Sequence, residues 1–244
     1  MAEINQKSNA RRFLDAYNNI DYALKTRYNI NRSTGFSDLI RKAVAINYVV
    51  RKYQDELIDY GRLRNAIIHN NNEDYVIAEP HIEVVKNIEH IEKLLTTPPK
   101  AVETVARREV LTTNAGRSMR EVITLMASSN FSNIPVYNDQ KELIGVANGQ
   151  KILNSMGQFL LAGGKCSAFL DNVQIEDMLS TLQNSNYYVV KNSKCTVEEA
   201  LDEFDKNHKL LAILFTKNGN KNELPVGIMT GANVVEAQKI LEDY

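Results

Sequence analysis

The sequence predicts a multidomain chain, all-α in its first part and α/β in the rest. Three observations predict it. Apolar residues recur at helical spacing through residues 1–97. A double proline, Pro98-Pro99, then interrupts the pattern. Beyond it, short apolar strands alternate with amphipathic helices, in an order that occurs twice.

The first part is a set of helices. Phe13, Leu14, Tyr17 and Ile20 define the first apolar face. The stretch Asn29-Ile30-Asn31-Arg32-Ser33-Thr34-Gly35 has loop character, and Ser37 or Asp38 can cap the next helix. A second pattern runs from Leu39 to His69 through Ile40, Ala43, Val44, Ile46, Val50, Tyr53, Leu57, Tyr60 and Leu63. As one helix it would span roughly 45 Å, with Gly61 as a bend. The polar run Asn70-Asn71-Asn72-Glu73-Asp74 is expected to stop it. Pro80 suits the first turn of another helix, carried by Ile82, Val85, Ile88, Ile91, Leu94 and Leu95. Thr96-Thr97-Pro98-Pro99 holds the chain extended and marks the domain boundary.

The second part reads twice as strand, helix, strand, turn, strand, helix. Copy one holds Met119-Arg120-Glu121-Val122-Ile123, then Asn133-Ile134-Pro135-Val136, then Leu143-Ile144-Gly145-Val146. Copy two holds Val197-Glu198-Glu199-Ala200-Leu201, then Leu211-Ala212-Ile213-Leu214, then Leu224-Pro225-Val226-Gly227-Ile228. The first two pairs align at one offset, and the third needs a longer turn, supplied by Asn218–Asn222. Between the copies, Gly157–Gly164 is expected to be a flexible crossing. The boundaries are therefore 1–97, 98–165 and 166–244.

Composition bounds the function. The 244 residues suit two domains, and 43% of them are hydrophobic, enough for a core in each. The formal net charge of -1 removes any global electrostatic case for nucleic acid or membranes. Cys166 and Cys195 have no metal or redox spacing, which suggests a reducing compartment. The polar start is no secretory signal, and no apolar run approaches the roughly 20 residues of a membrane span. A soluble, cytoplasmic protein is expected. No His-x3-His or HExxH spacing occurs, so no metal site is expected. His81 and His90 sit beside Glu83 and Glu89 on one helix, and His208 is expected at the surface. The basic pairs Arg11-Arg12, Arg41-Lys42, Arg51-Lys52 and Arg107-Arg108 are either solvated faces or part of an RNA path. Most tyrosines fall in apolar patterns and are expected in cores.

The repeat resembles the cystathionine-β-synthase-type (CBS) module, and the two copies resemble a tandem CBS pair. Ser132-Asn133-Ile134-Pro135-Val136, Leu143-Ile144-Gly145-Val146 and Leu224-Pro225-Val226-Gly227-Ile228-Met229-Thr230 carry the likeness. It implies small mixed sheets with flanking helices and an adenine nucleotide as regulatory ligand. In that family a Gly-x-x-Thr-x-x-Asp pattern joins the last strand to its helix. Thr230 matches it and is a natural N-cap, where free N–H groups hold phosphate. Asn233 replaces the ribose-binding Asp and can still hydrogen-bond a hydroxyl, without charge. Copy one reads Gly145-Val146-Ala147-Asn148-Gly149-Gln150-Lys151, so Asn148 and Lys151 stand at the Thr and Asp positions. A cation at 151 suits a phosphate better than a ribose. AMP, ATP, a cyclic dinucleotide and S-adenosylmethionine are equally compatible with these residues.

The first part holds one short motif, Arg64-Asn65-Ala66-Ile67-Ile68-His69. At about 100° per residue, Asn65 and His69 share a helical face, with Arg64 at its edge. Ala66 and Ile67 should face the core. The motif resembles the Arg-x4–6-His motif of HEPN domains, small helical bundles that often pair into a metal-independent RNase. The resemblance implies His69 as general base or acid for an RNA 2′-OH. It implies Arg64 as the stabiliser of transition-state charge, and Asn65 as an orienting group. Both resemblances imply a homodimer. The leading expectation is thus a nucleotide-controlled RNase of toxin or defence type. The alternative is a non-catalytic nucleotide sensor whose helical part dimerises or docks a partner. A third is a degenerate CBS scaffold that binds no nucleotide.

Overall fold

Ser8 opens the first helix: its hydroxyl accepts the Arg11 N–H at 3.2 Å. The computed structural model describes residues 7–69, 79–181 and 186–244. The chain divides into two compact units. One is Met1–Pro99 with Thr196–Asp202 and Gln238–Tyr244; the other is Lys100–Cys195 with Glu203–Ala237.

In the helical unit, α1 (Asn9–Arg27) buries Phe13, Tyr17, Ile20 and Leu24. It packs chiefly against α5 (Ile82–Thr96), which buries Val85, Ile88, Ile91, Leu94 and Leu95. Arg12 makes a bidentate pair with Glu89 at 2.8 and 2.6 Å across that contact. The helix expected over Leu39–His69 is instead three: α2 (Phe36–Ala43), α3 (Tyr48–Lys52) and α4 (Gln54–His69). The breaks fall before Tyr48, at Asn47, and at Tyr53, not at Gly61, which lies inside α4. Asn47 takes an extended conformation, φ -139° and ψ 122°, and its side chain accepts the Val50 N–H at 2.8 Å. Capping of this kind restarts a helix without disturbing the apolar period, so the period runs across the break unseen. The N-cap of α2 is Gly35, and Ser37 and Asp38 lie inside its first turn. Pro80 precedes His81, the N-cap of α5, rather than sitting in the first turn. The expected stop at 70–74 lies outside the described residues.

Buried polar links tie segment 196–202 into this unit. Glu198 is 1% exposed and pairs with Arg27, while Asn47 donates to its other oxygen at 3.2 Å. Arg51 pairs with Asp202 at 2.6 Å, and Lys52 with Glu242 at 2.8 Å. Several of the basic residues that might have lined an RNA path are therefore neutralised by acids.

In the second unit a short α6 (Ala101–Thr104) precedes copy one. That copy comprises β1 (Thr113–Asn114), α7 (Met119–Ser129), β2 (Asn133–Tyr137), β3 (Leu143–Asn148) and α8 (Gly149–Leu161). Two further helices come next, α9 (Cys166–Asn172) and α10 (Ile175–Ser180). Copy two comprises β4 (Tyr188–Asn192), α11 (Val197–Lys206), β5 (Ala212–Thr216), β6 (Pro225–Thr230), a 3-10 turn (Gly231–Asn233) and α12 (Val234–Asp243).

Each copy has a three-stranded sheet in which the first strand is parallel to the second and the second antiparallel to the third. Both carry an irregularity at the same place, between Val136 and Tyr137 and between Phe215 and Thr216. This register equates Asn148 with Thr230, and Asn133 with Ala212. Alignment of the copies by sequence sets Asn133 against Leu211 instead. One added residue before β5 accounts for the shift. Residues of both sheets, among them Tyr137, Val146, Leu214 and Ile228, bury one shared apolar cluster with Tyr187, which precedes β4.

The stretch expected to cross flexibly is mostly helix. α8 runs to Leu161 and ends in a Schellman-type stop: Gly163 at φ 86° donates to Leu160 O, and Gly164 donates to Phe159 O. A Cβ on Gly164 would collide with the Phe159 ring. The two glycines serve closure, not mobility.

Candidate functional site

Thr230 ends β6 and caps the turn into α12, as a residue of its type at that junction should. Asn233 folds back on it. Its carbonyl oxygen accepts the Thr230 N–H at 3.0 Å and the Thr230 hydroxyl at 3.2 Å. Those bonds use the oxygen of Asn233, not its amide N–H groups.

Both residues line a pocket of about 210 Å3. Its far wall comes from copy one, from Arg107 and Glu109 before β1, from Phe131 and Ser132 between α7 and β2, and from Asn133 at the start of β2. Arg107 and Ile228 hold the walls together through two backbone bonds, Arg107 N–H to Ile228 O at 3.0 Å and Ile228 N–H to Arg107 O at 2.9 Å. The Arg107 guanidinium stands 4.3 Å from the centre of the Phe131 ring. Apolar walls (Val110, Leu111, Ile228), one aromatic ring, a cation and two polar residues at a helix start thus converge. A volume below the roughly 300 Å3 of a drug-sized site accepts a planar base or a sugar, with the rest of a larger ligand outside.

The copy-one counterparts do not join this pocket. Asn148 is buried and caps α8, accepting the Lys151 N–H at 3.1 Å. Its amide donates to Asn133 at 2.9 Å, so it stands behind a pocket residue. The Lys151 ammonium lies 4.5 Å from the centre of the Tyr187 ring. The sequence does not assign Arg107, Glu109, Phe131, Ser132 and Asn133 to the site. The signal available is position: they occupy the two loops of copy one, and the start of β2, on the same side as the third strand's end.

In the helical unit, Arg64 and Asn65 lie on α4 and line a pocket of about 510 Å3 with Asp21, Lys25 and Asp38. Arg64 donates to the Asn65 side chain at 3.2 Å and approaches the Tyr17 ring at 5.9 Å. Its Nε is buried with no hydrogen-bond partner. Burial pushes the Tyr17 hydroxyl up to about 12, against the opposing charge of Arg64. His69 closes α4, and its side chain lies outside the described residues. Ile67 is buried as expected, but Ala66 is exposed.

Elsewhere, His208 is exposed. His90 approaches the Tyr53 hydroxyl at 3.4 Å, and burial together with Lys52 and Lys93 lowers its pKa. Among the described residues no cluster of His, Cys, Asp and Glu could hold a metal, and no helix is long and apolar enough to cross a membrane.

A family model described as the CBS domain matches residues 102–157, so this stretch is a CBS domain. No curated protein matches the chain. Solved structures do. CbpB in complex with c-di-AMP is 16% identical, with 65% of this chain and 95% of that one covered and a TM-score of 0.46. The CBS domain of the bacterial CNNM/CorC family Mg2+ transporter in complex with ATP is 19% identical, covering 62% and 92%, at 0.43. An uncharacterized conserved protein from Pyrococcus horikoshii is 18% identical, covering 58% and 93%, at 0.44.

Proposed function

We propose that this protein is an adenine-nucleotide sensor whose ligand occupies the pocket beside Thr230. The convergence of Thr230, Asn233, Arg107 and Phe131 on one partly apolar cleft carries the reading. The apolar walls suit the flat base. The amide of Asn233 suits a ribose hydroxyl, and the unpaired N–H groups of the helix start suit phosphate. The CBS resemblance supplies the ligand class: AMP, ATP, a cyclic dinucleotide or S-adenosylmethionine. Calorimetric titration of the full chain with these four tests it. Thr230→Val removes the hydroxyl that Asn233 holds, and should weaken binding of the preferred ligand by about tenfold, near 1.4 kcal/mol. Equal affinity of wild type and variant would remove Thr230 from the site. Binding of none of the four would overturn the reading.

A second reading adds RNA cleavage at Arg64, Asn65 and His69, controlled by the nucleotide and completed by a second copy of the chain. One observation favours it: the partnerless Nε of Arg64 beside an open pocket. A buried donor without a partner is costly, and a phosphate oxygen would satisfy it. In this reading His69→Ala lowers metal-free cleavage of an RNA pool by roughly 100-fold or more, the usual weight of general acid–base catalysis. Equal cleavage by the variant, or none by wild type with any of the four ligands, leaves the non-catalytic sensor.

A further inference from the structure

The two copies share a fold but differ at the outer edge of the third strand. In copy two the outer edge of β6 is closed by main chain, Arg107 pairing both polar groups of Ile228. In copy one the matching residue of β3 is Val146. Its two polar groups are taken by a side chain. The Tyr187 hydroxyl accepts the Val146 N–H at 3.3 Å and donates to the Val146 carbonyl at 3.1 Å.

The position of Tyr187 sharpens the contrast. The strand registers match Thr113 to Lys191, and so Glu109 to Tyr187. Glu109 is exposed and lines the copy-two pocket. Tyr187 is 4% exposed, and its ring sits against Lys151, the residue standing where copy two has Asn233. Burial pushes its phenol up to about 12, so the hydroxyl keeps the proton that lets it both donate and accept.

We propose that Tyr187 fills the ligand cleft of copy one, so that each chain takes a single nucleotide, in copy two. The ring occupies the space of a base, and the hydroxyl satisfies the strand edge as a base edge would. Lys151 stacks on the ring and closes the outside. The stoichiometry rests on the nucleotide reading above; the closure of copy one does not.

AMP is the probe. Calorimetry on the full chain should give one site per chain for wild type and two for Tyr187→Ala, one of the two about tenfold weaker in Tyr187→Ala/Thr230→Val. Tyr187→Phe retains the ring and should stay at one. Two sites in wild type would overturn the proposal and leave the nucleotide reading intact. If wild type binds none and Tyr187→Ala binds one, the cleft was closed as proposed and the copy-two reading fails. If neither binds, both fail. Should Tyr187→Ala not fold, 8-azido-AMP crosslinking of wild type decides. Labelling confined to peptides holding 107–111 or 228–233 is expected, and labelling at 146–151 or 187–191 would overturn the proposal.

Discussion

Replacing Arg27 by alanine should destabilise the helical unit by roughly 3 kcal/mol at neutral pH, because it strands a buried carboxylate. Glu198 has a side chain 2% exposed, while that of Arg27 is 28% exposed. The partly wet guanidinium places the loss at the lower end of what broken buried pairs cost. Asn47 also bonds Glu198 but brings no charge. The pH dependence comes from Glu198. Burial is the largest influence and raises its pKa above the ordinary value; Arg27, and then Asn47, pull it back. A carboxyl raised on folding contributes most stability below its unfolded pKa, near 4.3, and loses it as pH climbs through the folded value. Without Arg27 the folded value climbs further. The deficit should therefore be small near pH 5 and full at pH 8, read from urea midpoints at both. Adding Glu198→Gln should restore most of the loss at pH 8. Equal deficits at the two pH values would show that the pair is not what holds the segment.

Replacing Phe13 by alanine should cost about 4 kcal/mol, the range for a fully buried aromatic. Phe13 has no exposed surface and meets Tyr60 edge-on, with ring centres 5.7 Å apart and planes at 89°. No residue of the pocket beside Thr230 belongs to the helical unit. The variant should thus lose stability in that unit while AMP affinity per folded chain is unchanged. Urea unfolding followed by circular dichroism, beside AMP titration below the transition, measures both. A parallel loss of AMP affinity would show that the pocket depends on the helical unit after all.

Much of this is legible in the residues. Phe13, Tyr17 and Ile20 mark a helical face because side-chain period is a local property. The twice-occurring order of short strands announces two similar sheets, and Thr230 announces a cap, since both depend on near neighbours. The helix break at Asn47 is not legible. Its side chain caps the chain three residues on and also reaches Glu198, 151 residues away. The same residue could equally sit inside a helix; in the fold its amide donates to the distant Glu198 carboxylate and to the Tyr28 hydroxyl, which adds to the local cap.

The pocket divides in the same way. Thr230 and Asn233 stand out because their spacing is a capping pattern. Arg107 and Phe131 do not, because nothing near them in sequence brings them to β6; the backbone pairing of Arg107 with Ile228 does. Tyr187 is buried, as the sequence leads one to expect, but its hydroxyl partner is 41 residues away. Sequence alone determined the repeated elements, their order and the chemistry at the end of β6, since each rests on interactions within a few residues. Tertiary structure alone decided what meets the outer edge of the third strand in each copy, Tyr187 at Val146 and Arg107 at Ile228, because that depends on which group the fold brings there. An edge has no local signature: its N–H groups donate to, and its C=O groups accept from, whatever partner the fold brings to them.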